Sequence, residues 1–282
     1  MENQASKKVW FVTGASKGFG LEFVKQLLAK GDAIAATSRN LQQLKEAANI
    51  DSPNFLPLEV DLVNEKSVGD AIDMTIAQFG RIDYVVNNAG YGMAGSLEEL
   101  SDAEARQNFD VNVFGSLNVI RHVMPHLRRQ HSGHIFNISS VAGITGSFPG
   151  FGIYCATKFA VTGFTEALAV ECKPFGVKAT IILPGYFRTN FLESDSLVTS
   201  VKQMDEYKEV RDVLTMHEDQ INGNQQGDPA KGVAEIIKIA GIDNPPLYLM
   251  LGSDALKMAQ DKISFLTNET ENWKQVSTAT DF

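Results

Sequence analysis

Short runs of bulky apolar residues alternate along this chain with stretches whose apolar positions recur every three or four residues. Val9–Val12, Ala33–Thr37, Phe55–Val60, Tyr84–Val86, Ile135–Ile138, Val177–Leu183 and Leu247–Leu251 read as strands. Between them, helical spacing predicts helices over Leu21–Lys30, ended by Gly31, then Leu41–Ala48 and Val68–Phe79. Longer helical stretches are expected at about 101–130, 152–172 and 253–265. Near-continuous apolar strands alternating with helices imply a parallel sheet covered on both faces, with right-handed crossovers. No repeat and no linker divides the pattern, so a single domain is expected over 1–265.

Two segments break the alternation. Residues 190–228 are polar and mixed, and finish at Asp228-Pro229, an N-cap followed by proline at the first helical position. An excursion after a strand end, on the carboxyl side of a parallel sheet, is where substrate-covering loops sit. The last residues, 266–282, read as a polar tail that adds little to the core.

Composition narrows the classes. Of 282 residues, 25 are basic and 34 acidic, a net charge of −9. That excludes the basic footprint of a non-specific nucleic-acid binder and speaks against an anionic membrane surface. At 44% hydrophobic and 21% charged the chain reads as globular. The two cysteines form no disulfide framework, and no Cys/His cluster has metal-ligand spacing. With neither a signal-peptide pattern nor a long apolar run, a cytoplasmic location is the expectation.

Strand one runs into Thr13-Gly14-Ala15-Ser16-Lys17-Gly18-Phe19-Gly20 and then a helix. Glycines let backbone approach a pyrophosphate, and a helix start offers N–H groups and partial positive charge. The spacing is G-x-x-x-G-x-G rather than G-x-G-x-x-G. After strand two, a carboxylate would accept from the ribose 2′-hydroxyl of NAD, whereas an arginine suits the 2′-phosphate of NADP. The residues there are Thr37-Ser38-Arg39-Asn40, with no acid. Lys17 adds a second cation, so NADP(H) is the expected cofactor.

Tyr154 and Lys158 stand four apart in a helical stretch and share a face. An ammonium beside a phenol favours the phenolate and makes tyrosine a usable acid–base. Ser140 follows the strand Ile135–Ile138, at the sheet edge where ligands bind. Asp83-Tyr84-Val85-Val86-Asn87-Asn88-Ala89-Gly90 is a strand running into a small polar turn, and Asn112 sits within a helix, where asparagine is mildly unfavourable.

In order and spacing, Thr-Gly-x-x-x-Gly-x-Gly, Asn-Asn-Ala-Gly, Asn112, Ser140, Tyr154-x-x-x-Lys158 and Pro184-Gly185 resemble the short-chain dehydrogenase/reductase family, in its compact branch, over about residues 7–252. The resemblance implies a doubly wound Rossmann-type α/β fold of three layers, α/β/α. It implies Tyr154 as general acid or base, Ser140 as the residue polarising the substrate oxygen, Lys158 on the nicotinamide ribose, and Asn112 holding a water in a proton relay. The cofactor shell it implies comprises Gly14, Ser16, Lys17, Gly18, Phe19, Gly20, Ser38, Arg39, Asp61, Leu62, Asn88, Ala89, Gly90, Tyr154, Lys158, Pro184, Gly185, Phe187 and Thr189. Ser140 is preferred to Ser139 because Ser140-Val141-Ala142-Gly143 matches the family's Ser-x-x-Gly. It stands one residue further from Tyr154 than is usual, so the loop 144–152 must absorb an addition.

The implied reaction is hydride transfer between nicotinamide and a carbonyl or secondary alcohol, with no metal. Met93, Phe148, Phe151, Phe187 and Phe191 are the candidate apolar lining for a hydrophobic ketone or aldehyde, with Ser140 at the reacting end. Arg188 is a loose candidate for a substrate anion. A homodimer or homotetramer is expected through the helices at about 101–130 and 152–172. Two rivals stand beside this reading. A redox sensor holding NADP without turnover would not need an intact Ser140, Tyr154 and Lys158. A nucleotide-sugar epimerase or dehydratase would favour a larger C-terminal substrate domain.

Overall fold

The computed structural model describes residues 7–193 and 196–282. Seven parallel strands form the central sheet: β1 (Val9–Val12), β2 (Ala33–Ser38), β3 (Phe55–Glu59), β4 (Tyr84–Asn87), β6 (Gly133–Ile138), β7 (Val177–Pro184) and β9 (Tyr248–Leu251). Their spatial order is β3-β2-β1-β4-β6-β7-β9. The direction of winding reverses between β1 and β4, and at such a switch point a crevice opens beyond the strand ends.

The apolar runs are continuous because both faces are covered. In β1 all four residues are buried, Trp10 and Val12 facing one layer and Phe11 the other. One layer is α1 (Gly18–Lys30), α2 (Leu41–Ala48) and α8 (Pro229–Ala240), which place Phe23, Leu27, Leu44, Val233 and Ile236 against Trp10, Ile34 and Phe136. The other is α3 (Glu65–Phe79), α5 (Gly115–Gln130) and α6 (Gly152–Cys172), which bring Ile72, Val119, Val123, Leu127 and Leu168 against Phe11, Val85 and Ile135.

Three features differ from the sequence reading. The stretch 101–130 is two helices, α4 (Asp102–Phe109) and α5, joined by a wide π-turn over Asp110–Phe114. The segment 190–228 is structured: it holds β8 (Leu197–Thr199), which pairs in parallel with β5 (Gly92–Ala94), and α7 (Lys208–Met216). The helix begun at Ser253 does not stop near 265. It continues as α9 (Ser253–Asn272), followed by α10 (Lys274–Thr278), so much of the polar tail is helical. No glycine or proline interrupts it, and the Ser264 and Thr267 hydroxyls donate to carbonyls one turn back, at Gln260 and Ile263, instead of competing for non-helical turns.

Three carboxylates anchor the 201–211 stretch to α4 and the turn before it. Glu99 is 3% exposed. Its Oε2 accepts from Ser96 N at 2.8 Å, and its Oε1 accepts from Met204 N at 2.8 Å and Arg211 Nη1 at 3.2 Å. Glu104 accepts from Val201 N at 3.0 Å, and Glu98 from the Tyr207 hydroxyl at 2.7 Å. With α7 so held, Val210 and Leu214 pack into a third apolar cluster with Phe151, Tyr154 and Leu197.

Candidate active site

A cleft of about 640 Å³ opens along the carboxyl edge of the sheet. At one end is the glycine turn. Gly14 has φ +67°, and a Cβ there would lie 2.8 Å from Ala89 Cα. Thr13 fixes the neighbouring turn, its hydroxyl accepting from Asn88 N and Ala89 N, both at 3.0 Å. Asn88 returns the tie, donating from Nδ2 to the Thr13 and Gly14 carbonyls. The Asn88 side chain thus shapes the cradle. The α2, α3 and α4 helices are capped by Asn40, Asn64 and Ser101 side chains, whereas α1 has no side-chain cap. Its first-turn N–H groups and positive end fit a diphosphate.

Most of the sequence candidates for the cofactor shell line this one cleft: Gly14, Ser16, Lys17, Gly18, Phe19, Ser38, Arg39, Asp61, Leu62, Asn88, Ala89, Gly90, Tyr154, Lys158, Pro184, Gly185, Phe187 and Thr189. Gly20 lies beneath it, where a Cβ would sit 2.2 Å from Gly14 O, so its contribution is close packing of helix on turn. Asp61 Oδ1 accepts from Val63 N at 3.0 Å, which orders the turn after β3. Gly185 is pressed against Asp254, whose Oδ2 accepts from Tyr186 N at 2.6 Å.

At the other end α6 carries Tyr154 and Lys158, 8% and 5% exposed. Lys158 Nζ donates to Ile138 O at 2.9 Å, tying the helix to the end of β6, and lies 5.8 Å from the Tyr154 ring centroid. Ser139 is turned into the packing, with Oγ donating to Lys158 O at 2.9 Å and 3.0 Å from Thr162 Oγ1. Ser140 lines the cleft beside Tyr154. Gly143 must be glycine, since a Cβ there would meet Ser139 Oγ at 2.3 Å.

The electrostatics of this end differ from the sequence expectation of a tyrosine acidified by its lysine. With both groups buried, desolvation disfavours each charged form. It raises the Tyr154 phenol above its ordinary 10, opposed by a hydrogen bond with Ser140, and lowers the Lys158 ammonium to about 8. The resting phenol is therefore held protonated, the form that can donate to a carbonyl oxygen.

Met93 and Asn112, like Gly20, are not cleft-lining residues, although Asn112 Oδ1 stands behind Gly90 on the side where Lys158 Nζ lies. Met93 is buried at 2% exposure in β5 and is not among the cleft-lining residues. Asn112, 1% exposed, lies in the π-turn. Its Oδ1 accepts from Tyr91 N at 3.0 Å, and its Nδ2 donates to Tyr91 O at 3.0 Å and Thr157 Oγ1 at 3.1 Å. That side chain is engaged in positioning Tyr91 against α6. Phe148, Phe151 and Phe191 do line the cleft, the Phe191 ring 5.8 Å from that of Tyr154, while Phe187 packs edge-on to Phe19 at 4.9 Å. Arg188 is not a lining residue; its Nη2 donates to Gln225 O at 3.1 Å. Tyr186, His217 and Gln225 line the cleft and were not anticipated. They are single polar residues with no spacing signal.

The sequence model of the short chain dehydrogenase family matches residues 8–197. The chain belongs to that family. It is 34% identical to oxidoreductase BOA17 of Botryotinia fuckeliana over 273 residues, covering 96% of this chain and 98% of that one. It is 35% identical to the 3-ketodihydrosphingosine reductase of Bacteroides thetaiotaomicron over 247 residues, covering 87% and 88%. A short-chain dehydrogenase from Streptomyces avermitilis superposes with TM-score 0.89 at 35% identity, covering 98% and 100%. ElxO with NADP bound superposes at 0.73 with 25% identity, covering 89% and 99%. Among the described residues, no helix of this short-chain dehydrogenase is long and apolar enough to cross a membrane.

Proposed function

We propose that this oxidoreductase reduces a hydrophobic ketone or aldehyde with NADPH, with Tyr154 as the general acid. The observation that carries the reading is that Tyr154, Ser140 and Lys158 share one cleft with the uncapped start of α1 and with Lys17 and Arg39. When bound, the nicotinamide supplies the hydride that reaches the carbonyl carbon. The Tyr154 hydroxyl and Ser140 Oγ both donate to the substrate oxygen, stabilising the negative charge that develops there. Tyr154 then gives up its proton to that oxygen. Lys158, fixed through Ile138 O, places a cation near the phenolate that remains. Phe148, Phe151 and Phe191 exclude water and favour an apolar body on the substrate. The printed names of a reductase relative and of an NADP-bound structural neighbour support this choice of chemistry and cofactor. The same reading carries a homodimer or homotetramer, supported by the exposed Phe114, Phe159 and Val170 on or beside α5 and α6.

The test of the function is NADPH consumption with a panel of aromatic and long-chain ketones and aldehydes; no consumption with any of them would contradict it. The cofactor choice is tested separately. Arg39 is exposed at the end of β2, in the cleft wall with Ser38 and Lys17. A charge-assisted hydrogen bond contributes about 1.5–3 kcal/mol, so Arg39→Ala is expected to weaken NADPH binding by about 10- to 100-fold while NADH binding changes little. Fluorescence titration reads both constants, and equal losses would remove Arg39 from 2′-phosphate recognition.

A further inference from the structure

The chain that follows β7 is tied down on either side of α7. Before it, the 201–211 stretch hangs on Glu98, Glu99 and Glu104. After it, Gly227 N donates to Tyr186 O and Gly227 O accepts from Arg188 N, both at 2.9 Å. Between these ties Val210, Leu214 and His217 follow at steps of four and three, which puts them on one helix face. Val210 and Leu214 join the apolar cluster of Phe151 and Tyr154. The third residue on that face is polar, 5% exposed, and lines the cleft. It opens a widened π-turn over His217–Ile221, an irregularity that recurs at functional sites.

Both ring nitrogens of His217 are engaged. Nδ1 lies 2.8 Å from Val213 O, which can only accept, so in the neutral ring Nδ1 carries the proton and Nε2 is the acceptor. The Tyr186 hydroxyl, 2.9 Å from Nε2, donates to it. Burial raises that phenol above its ordinary range, so it keeps the proton that the bond needs. The His217 ring centroid also lies 5.1 Å from that of Phe151 and 5.7 Å from that of Tyr186. With both nitrogens bonded within the protein, His217 is not placed to trade a proton with substrate. Its contacts join three elements instead: α7, the start of α6 at Phe151, and the turn after β7. Tyr186 is also fixed through its backbone. It follows directly on Pro184-Gly185, and its N–H donates to Asp254 Oδ2 at 2.6 Å.

We propose that His217 and Tyr186 are positioning residues that act as one unit. Their hydrogen bond joins α7 to the turn after β7 and so sets the wall against which the substrate lies beside Phe151, three residues before Tyr154. The inference rests on the proposed ketone reduction and adds to it two residues that do no chemistry. Because the bond lies within the wall, losing either partner has the same effect as losing both.

Tyr186→Phe removes a single oxygen, and His217→Phe keeps a ring against Phe151 while removing both nitrogens. These variants and the double variant are compared with wild type in NADPH-dependent ketone reduction, at a temperature where circular dichroism shows each folded. Each single change is expected to raise KM for the ketone about tenfold, with single-turnover hydride transfer at saturating ketone within about threefold of wild type. The double variant is expected to be no worse than the poorer single one. A merely structural pair would lower the denaturation midpoint and leave KM unmoved, and that result overturns the proposal. Effects that multiply to about a hundredfold in the double variant overturn the unit. A fall in hydride transfer with KM unmoved overturns positioning and gives the pair a part in the chemistry. Should His217→Phe fail to fold, Tyr186→Phe alone decides by the same KM readout. If wild type reduces no ketone, the proposed reaction has failed. The pair is then read by hydrogen exchange of the α7 amides in the NADP-loaded protein, where Tyr186→Phe must speed exchange about tenfold and unchanged exchange overturns the pair.

Discussion

Tyr154→Phe is expected to lower kcat for ketone reduction by about a thousandfold, within the range of a lost general acid, while NADPH binding is retained. The substitution removes one oxygen. It leaves the ring in its apolar cluster with Phe151, Val210 and Leu214 and beside Phe191, so folding should survive. On the proposed mechanism, what disappears is both the proton and one of two donors to the substrate oxygen. Ser140→Ala removes only the second donor and should cost less. Single-turnover oxidation of NADPH separates the chemical step from release. A Tyr154→Phe enzyme as active as wild type would leave the proton to another group.

Glu99→Ala is expected to destabilise the protein by about 3 kcal/mol, because it strands Arg211 and two backbone N–H groups that a buried carboxylate now satisfies. The loss carries a pH signature. Hydrogen bonds from Met204 N and Ser96 N lead in holding the Glu99 carboxyl down to about 2, from an ordinary 4.5. A lowered carboxylate stabilises fully above its unfolded value and fades as pH falls through the folded one. The difference between wild type and Glu99→Ala should thus be complete above about pH 5 and shrink towards pH 2. Chemical denaturation across that range measures it. A difference that does not vary with pH would mean that packing, not charge, anchors the segment. Since the same anchor holds α7 against Phe151, KM should rise as well.

The main sheet and its covering helices were legible because each strand is buried on both faces and shows as an unbroken apolar run, as in Val9–Val12. The glycine turn was legible because backbone crowding admits no side chain at Gly14 or Gly20. The β5–β8 pair was not, since three-residue strands carry no periodicity, and Met93 accordingly looked like a lining residue when it belongs to the packing of β5. Glu99 reads as one more surface acid in Ser96-Leu97-Glu98-Glu99-Leu100; its partners Met204 and Arg211 lie more than a hundred residues away. Arg188 could be placed near the site, but only three dimensions show that it serves the backbone of Gln225. Likewise the sign of the Tyr154 perturbation depends on burial, which the spacing of Tyr154 and Lys158 does not reveal.

That perturbation is also where the proposed chemistry is most exposed to test. The ionisation of Tyr154 can be followed as the ultraviolet difference spectrum between wild type and Tyr154→Phe, titrated with pH in the presence and absence of NADP+. With the oxidised cofactor adding positive charge beside Lys158, the tyrosinate is expected to form at a lower pH than in its absence, where burial holds the phenol above its ordinary range. A titration that NADP+ leaves unmoved would contradict Tyr154 as the residue that exchanges the proton.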